Sequence, residues 1–474
     1  MLFNSLTFIV FFAVVLVLHY TVSAWRMQKS ILLIASYIFY AAWNPPFVIL
    51  LWISTLVDWY VAKALAEEEI QAKRRLLLFA SLTVNLGLLG FFKYGEFFLQ
   101  NFIELASLAG FSYTPAKLDI ILPVGISFYT FQTLSYTLDV YFKKTQRCQS
   151  FLDFALYVTF FPQLVAGPIV RATDFLPQCE KPKRATRDQF GWGLYFITLG
   201  LFQKVVLADG MLSSATDKVF SFKGDSIFIL DAWLGLLAFS AQIFCDFAGY
   251  STCAIGVALC LGFILPDNFR SPYAAIGFSD FWRRWHITLS TWLRDYLYIP
   301  LGGNRHGTYR TLFNLMFTMF LGGLWHGASW TFIAWGVLHG SYLVVEHVLR
   351  QNFSDLQWVK TGPGRFVITG ITFFFISLAW VFFRASDFPT AWMMFTSLFS
   401  FSGDGEQLLP TLEIIQVVIV VSALLAIHYY LHERRLEHAM QDMPRGWVVA
   451  IWTTMLFGLI LMQGGASAFI YFQF

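Results

Sequence analysis

Apolar runs of about bilayer-crossing length recur along this chain, and that recurrence limits the fold more than any single motif does. They run from about Leu2 to Val22, Ile31 to Tyr60 with a break, Leu76 to Phe92, Ile120 to Phe142, Phe154 to Val170, Phe190 to Ala208 and Ile227 to Leu265. Further runs cover Thr311 to Val345, Phe366 to Phe383, Leu412 to Tyr430 and Trp447 to Met462. A hydrocarbon core of about 30 Å takes about 20 apolar residues per helix. Because Ile227–Leu265 and Thr311–Val345 are nearly double length, the expectation is an all-α, polytopic integral membrane protein. It should hold about 11 to 13 hydrophobic helices, re-entrant and interfacial ones included. Only 13% of the 474 residues are charged, against about 25% in a soluble domain, so a water-soluble globule is excluded. No fixed-period repeat or low-complexity linker breaks the chain, and only Phe401 to Pro410 reads as a surface loop. Residues 1–474 are therefore read as one membrane domain. Met1 to Tyr20 has no basic leading region and no small-residue cleavage site, and is read as a retained first crossing.

A net charge of +3 is too small to imply nucleic-acid binding. Cys245, Cys253 and Cys260 lie in apolar segments, Cys148 and Cys179 in polar loops, and no pair has C-x-x-C spacing, so the cysteines read as buried filler. Basic residues speak to sidedness. Arg26 and Lys29 follow the first run, and Lys73, Arg74 and Arg75 follow the second, which makes both loops cytoplasmic. The run between them must then enter and return, and Asn44-Pro45-Pro46 supplies the break. Phe154 to Val170 poses the same contradiction. Lys143, Lys144 and Arg147 precede it, Arg171, Lys181, Lys183, Arg184 and Arg187 follow it, and Pro162 and Gly167-Pro168 interrupt it. Irregular backbone at that depth survives only where protein or water covers it, so a hollow bundle is expected.

Ser279 to Tyr296 is too polar to span. At 100° per residue Phe281, Trp285, Leu289, Trp292 and Tyr296 form one apolar stripe, with Arg283, Ser290 and Arg294 opposite and His286 at the margin, the pattern of one interfacial helix. It serves either as a surface anchor or as a cationic wall beside a polar cavity, where Arg283, Arg284 and Arg294 could hold the phosphates of a donor in forked geometry. Within Phe320 to Trp330 lies His326, an ionisable ring where charge is scarce and glycines allow close backbone approach. A side chain that is costly to bury in a membrane points to function, and a reference pKa near 6.5 suits it to take a proton from a hydroxyl. His326, His339 and His347 are 13 and 8 residues apart and cannot share one helix face, so they do not read as a metal set. His339 reads as packing, and His19, His428, His432 and His438 as interfacial. Asp246 is the deepest acid and is expected to pair with an arginine or orient another side chain, while Lys93 and Lys204 are expected to snorkel. Walker, Rossmann and G-x-S-x-G signatures are missing, so ATP-driven transport and serine-hydrolase chemistry have no support.

The stretch Asp280 to Tyr296, together with Leu301-Gly302-Gly303-Asn304-Arg305 and Leu324-Trp325-His326-Gly327, resembles the membrane-bound O-acyltransferase family, in its bacterial alginate O-acetyltransferase branch. Leu122 to Gln132 and Phe161 to Pro168 match as well. Where that branch usually carries Ser and Asp, this chain has Ala248 and Thr252. The resemblance implies a helical fold around a central tunnel, His326 as the catalytic residue and His286 as its second histidine, with Arg283, Arg284, Arg294, Trp325 and Asp246 on the substrate side. It implies no bound cofactor and acetyl-CoA as the donor substrate. The implied reaction moves an acetyl group across the bacterial inner membrane to a hydroxyl of an exopolysaccharide, alginate-like or cellulose-like. The implied partners are membrane lipid, a periplasmic acetyltransferase and an exopolysaccharide synthesis and secretion complex. Broken helices and buried polar residues also fit a non-enzymatic transporter of polysaccharide or acyl groups, or a scaffold of a secretion complex.

Overall fold

The computed structural model describes residues 1–115, 120–352, 357–401, 403–462 and 469. Among these residues the secondary structure is helical apart from a single isolated bridge between Ile227 and Glu406. Seven helical segments are long and apolar enough to cross a membrane, and Leu6–Thr21 and Arg445–Leu461 are shorter apolar helices. The chain forms two compact units, each discontinuous in sequence: Met1–Leu194 with Ala254–Pro266, and Tyr195–Cys253 with Asp267–Phe474.

The first unit shows why apolar runs break where they do. Helix α1 (Leu6–Thr21) is followed by α2 (Trp25–Ala41), a short 3-10 turn at Pro45–Phe47, and α3 (Val48–Glu67). The expected break at Asn44-Pro45-Pro46 is therefore present, because each proline lacks the N–H that would continue the helix. Helix α4 (Gln71–Leu108) is a single element far longer than the apolar run that suggested it, and α5 (Ile126–Tyr141) follows. Arg74 does not stand free in a loop: it is buried, donates to the carbonyls of Leu65, Glu68 and Tyr141, and so satisfies the ends of α3 and α5. Lys29 is likewise buried, 2.5 Å from Asp153. The Phe154–Val170 run is broken as expected, into α6 (Phe151–Thr159) and a four-residue α7 (Phe161–Leu164), every residue of the run being buried. Helices α8 (Ala172–Cys179) and α9 (Arg187–Leu201) lead out of this unit.

In the second unit a π-helical stretch, Phe202–Leu212, joins α9 to α10 (Ser213–Phe220). The double-length run Ile227–Leu265 is not a hairpin but one 32-residue helix, α11 (Ile229–Cys260). At 1.5 Å per residue it extends about 48 Å, and most of it is sheathed in protein. Nothing in it can turn: its glycines sit inside the helix and it contains no proline. The polar stretch after it forms α12 (Phe278–Arg284) and α13 (Ile287–Leu293), and the second double-length run forms the expected hairpin of α14 (Thr308–His326) and α15 (Trp330–Asn352). The remaining elements are α16 (Gly362–Arg384), α17 (Phe388–Leu398), α18 (Thr411–Tyr430), α19 (Leu436–Gln441) and α20 (Arg445–Leu461).

Candidate active site

The α14–α15 hairpin is built on a glycine crossing. A Cβ at Gly323 would come within 2.4 Å of the Phe332 carbonyl oxygen, and one at Gly336 within 2.4 Å of the Met319 carbonyl oxygen. Only two bare backbones pack that closely. The crossing sets the last turn of α14 against the first turns of α15, where His326 meets Trp335 with ring centroids 4.8 Å apart, edge to face. Helix α14 ends at His326 because Gly327 is extended and a Cβ there would run into the Phe332 ring, while Ser329 Oγ accepts from Thr331 N at 3.3 Å to open α15. Phe383 of α16 closes the far side at 5.3 Å. His326 is buried.

Ser279 to Tyr296 does not form the single amphipathic helix that its stripe suggests. The chain breaks at Trp285-His286: Trp285 is extended and His286 adopts the left-handed conformation, φ 43° and ψ 55°. A non-glycine residue there costs about 1 kcal/mol or more and persists only where its surroundings hold it. Phe281, Trp285 and Leu289 are fully buried, so the stripe packs against protein and not on a lipid surface. Helix α12 is pinned at its start by Glu346 Oε2, which accepts from Ser279 N at 2.9 Å, a carboxylate at a positive helix end, and by Thr372 Oγ1, which accepts from Gly277 N. At its other end Arg284 donates to Asp280 Oδ2 and to the His432 carbonyl, both at 2.8 Å.

The break turns His286 inward. Its ring packs edge to face on Phe247 of α11, centroids 4.6 Å apart, and meets Trp325 at 5.8 Å. Trp325 in turn stands 5.0 Å from His326. The two histidines named from the sequence are thus brought into one buried string of rings, His286–Trp325–His326–Trp335, which His339 extends at 4.5 Å from Trp335. His286 belongs to no crossing helix, and burial pushes its imidazole pKa down to about 3, so the ring is neutral at pH 7.

The other sequence-named residues fall elsewhere. Arg283 and Arg294 are exposed, Arg294 lying 2.7 Å from Asp295, and Arg284 is committed to the contacts above. Asp246 pairs with Lys204, which also lies 2.9 Å from Asp209. The partner is a lysine and not the expected arginine, and Lys204 is buried instead of snorkelling, because two carboxylates inside the unit offer it more than distant water does. His19 and His428, in the last turns of α1 and α18, are buried within the protein, whereas His438 is exposed. Periodicity gave no signal for Asn268, which lies in a loop after α11 yet touches His286, nor for Trp335 and Phe383, which look like ordinary helix core.

Fold and site together define a polytopic helical membrane protein with two buried histidines linked through a tryptophan. The model of the membrane-bound O-acyltransferase family matches residues 144–386. A probable alginate O-acetylase of Pseudomonas aeruginosa is 41% identical over 85% of this chain and 75% of its own length, and one of Azotobacter vinelandii is 39% identical over 90% and 83%. A peptidoglycan O-acetyltransferase of Helicobacter pylori is 35% identical over 94% of this chain and 91% of its own. This chain belongs to the membrane-bound O-acyltransferase family and is an O-acyltransferase. The family reading thereby displaces the transporter and scaffold alternatives.

Proposed function

We propose that this protein takes an acetyl group from acetyl-CoA on the cytoplasmic face of a bacterial inner membrane and passes it toward a hydroxyl of a polysaccharide outside that membrane. The observation that carries the reading is the buried string His286–Trp325–His326, two imidazoles held in one water-poor place by the α12–α13 break and the end of α14. His326 accepts the proton of a hydroxyl presented by the periplasmic carrier proposed below, as that oxygen attacks the thioester carbonyl; the polysaccharide hydroxyl is the final acceptor. The new C–O bond forms, the C–S bond breaks, and the proton leaves with the coenzyme thiolate. His286 lines the donor side. Arg283 and Arg294, exposed on the same polar stretch, offer guanidinium forks to the anionic coenzyme, while Arg284 holds α12 in place.

The named relatives act on alginate and on peptidoglycan, polymers whose common chemistry is a sugar hydroxyl, and that class is the acceptor proposed here. An extended polymer needs a groove on a soluble surface, so a periplasmic acetyltransferase of a polysaccharide synthesis and secretion complex is the proposed final carrier. Liposomes with acetyl-CoA and polymer on opposite sides test this. Thioester consumption with polymer acetylation only after the periplasmic enzyme is added supports the relay; efficient acetylation by this chain alone overturns it. His326→Ala is expected to bring turnover below about a tenth of wild type with normal membrane insertion, since one positioned base contributes about 10²- to 10⁴-fold. Higher residual turnover would remove His326 as the base.

A further inference from the structure

Asn268 stands just after α11, and four contacts converge on it. Its side-chain Oδ1 lies 3.1 Å from His286 Nδ1, accepts from Thr288 Oγ1 at 2.9 Å and accepts from the Thr288 backbone N–H at 3.3 Å. Its Nδ2 donates to Ser251 Oγ of α11 at 3.0 Å. The backbone joins in: Ile287 N donates to the Asn268 carbonyl and Arg270 N to the Arg284 carbonyl, each at 2.9 Å. The loop is therefore bolted across the break at the point where His286 holds its left-handed conformation.

These contacts settle which amide atom is which. A backbone N–H can only donate, so the atom facing Thr288 N must be the oxygen. Turning the amide over would set two donors against each other. An oxygen that can only accept then requires a proton on His286 Nδ1. The second ring nitrogen, Nε2, carries the lone pair.

We propose that Asn268 is a positioning residue that fixes His286 as the Nδ1–H tautomer, so that Nε2 serves the reaction as a hydrogen-bond acceptor and not as a donor to the developing oxyanion. This rests on the acyl-transfer reading for its use, though not for its structure. An acceptor nitrogen orients an O–H or N–H of a bound substrate. Stabilisation of the thioester oxygen must then come from another group. The clamp also explains why a residue without helical periodicity is wholly buried: it satisfies three donors at once, and its loss would strand them in a dry interior.

Aromatic rings pack on the His286 imidazole: Phe247, Phe269 and Trp325 cover its faces, and His326 is reached through Trp325. On the elements behind these, Asp246 is paired with Lys204, Asp267 with Arg270 and Arg284 with Asp280. Arg283, on α12, is exposed.

The test uses the full chain in lipid bilayers with histidines labelled in the ring by 15N, His286 being assigned by difference from His286→Asn. At pH 7 its Nδ1 should resonate as protonated and its Nε2 as unprotonated, with no substrate present. The opposite tautomer, or the same pure tautomer in Asn268→Leu, overturns the proposal. Turnover gives the second arm. Asn268→Leu should lose at least about tenfold in kcat with KM little changed at every pH. Asn268→Asp still accepts from Nδ1–H, so it should recover most of the rate at pH 8 to 9. It should also gain a new loss of rate toward acid, because a carboxylate raises the proton affinity of the ring. Identical profiles for the Asp and Leu variants would reduce Asn268 to fold support and overturn the proposal. A wild-type chain with the stated tautomer but no thioester turnover would overturn the acyl-transfer reading alone.

Discussion

Replacing Gly336 by alanine tests whether the glycine crossing aligns the site. The added methyl would lie 2.4 Å from the Met319 carbonyl oxygen and 3.0 Å from Gly323 Cα. Ordinary van der Waals contact needs about 3.4 Å or more, so α14 and α15 must separate by close to 1 Å at the crossing. Overpacking of this kind costs about 1–3 kcal/mol. Alanine returns about 1 kcal/mol through its helix propensity, so the net destabilisation should be no more than about 2 kcal/mol. The effect on rate should be larger, because His326 and Trp335 sit on opposite sides of the crossing, and a misplacement of about 1 Å can cost about 10²-fold. The assay is thioester turnover beside thermal unfolding in detergent. Gly370→Ala is the control, since a Cβ there meets nothing within 4 Å. It should leave kcat unchanged. A Gly336→Ala protein with wild-type kcat would refute the reasoning, as would equal losses in the two variants.

Three further outcomes are expected. Lys204→Met leaves Asp209 and Asp246 without the cation between them; removing one partner of a buried ion pair costs about 3–5 kcal/mol, and a melting temperature within a degree of wild type would contradict that. His286 is held neutral with its pKa near 3 while an unfolded histidine binds a proton below about 6.5. The unfolded state therefore holds more protons between those values, and stability should fall as pH drops below about 6.5, by up to about 1.4 kcal/mol per pH unit. Thermal unfolding from pH 7 to 5 should show a steeper acid loss in wild type than in His286→Asn, and equal slopes would exclude the buried-neutral account. Cysteines introduced at Lys73 and at Lys181 should react only from the cytoplasmic side in intact cells, the charge asymmetry being the ground; labelling by an impermeant external reagent would refute the re-entrant reading of Phe154–Val170.

The sequence by itself determined that this chain lives in a membrane, where its runs break, and that His326 is out of place among apolar neighbours. Those are local properties: run length against bilayer thickness, prolines that cannot donate, an ionisable ring where charge is scarce. Length alone suggested two crossings for each double-length run; Thr311–Val345 does make the hairpin of α14 and α15, whereas Ile227–Leu265 forms the single helix α11, since length does not reveal a helix sheathed by protein. Only the tertiary structure decided the rest. The stripe from Phe281 to Tyr296 fits one helix by periodicity, yet the chain breaks at His286, where Asn268, 18 residues earlier, clamps the break from a loop with no period to detect. Asp246 and Lys204 are 42 residues apart, and nothing local to either names the other. Apart from the family resemblance, nothing local to His286 or His326 pairs them; they become neighbours through Trp325 because the strained break at His286 meets the end of α14, and such closeness is a property of packing that no single segment carries.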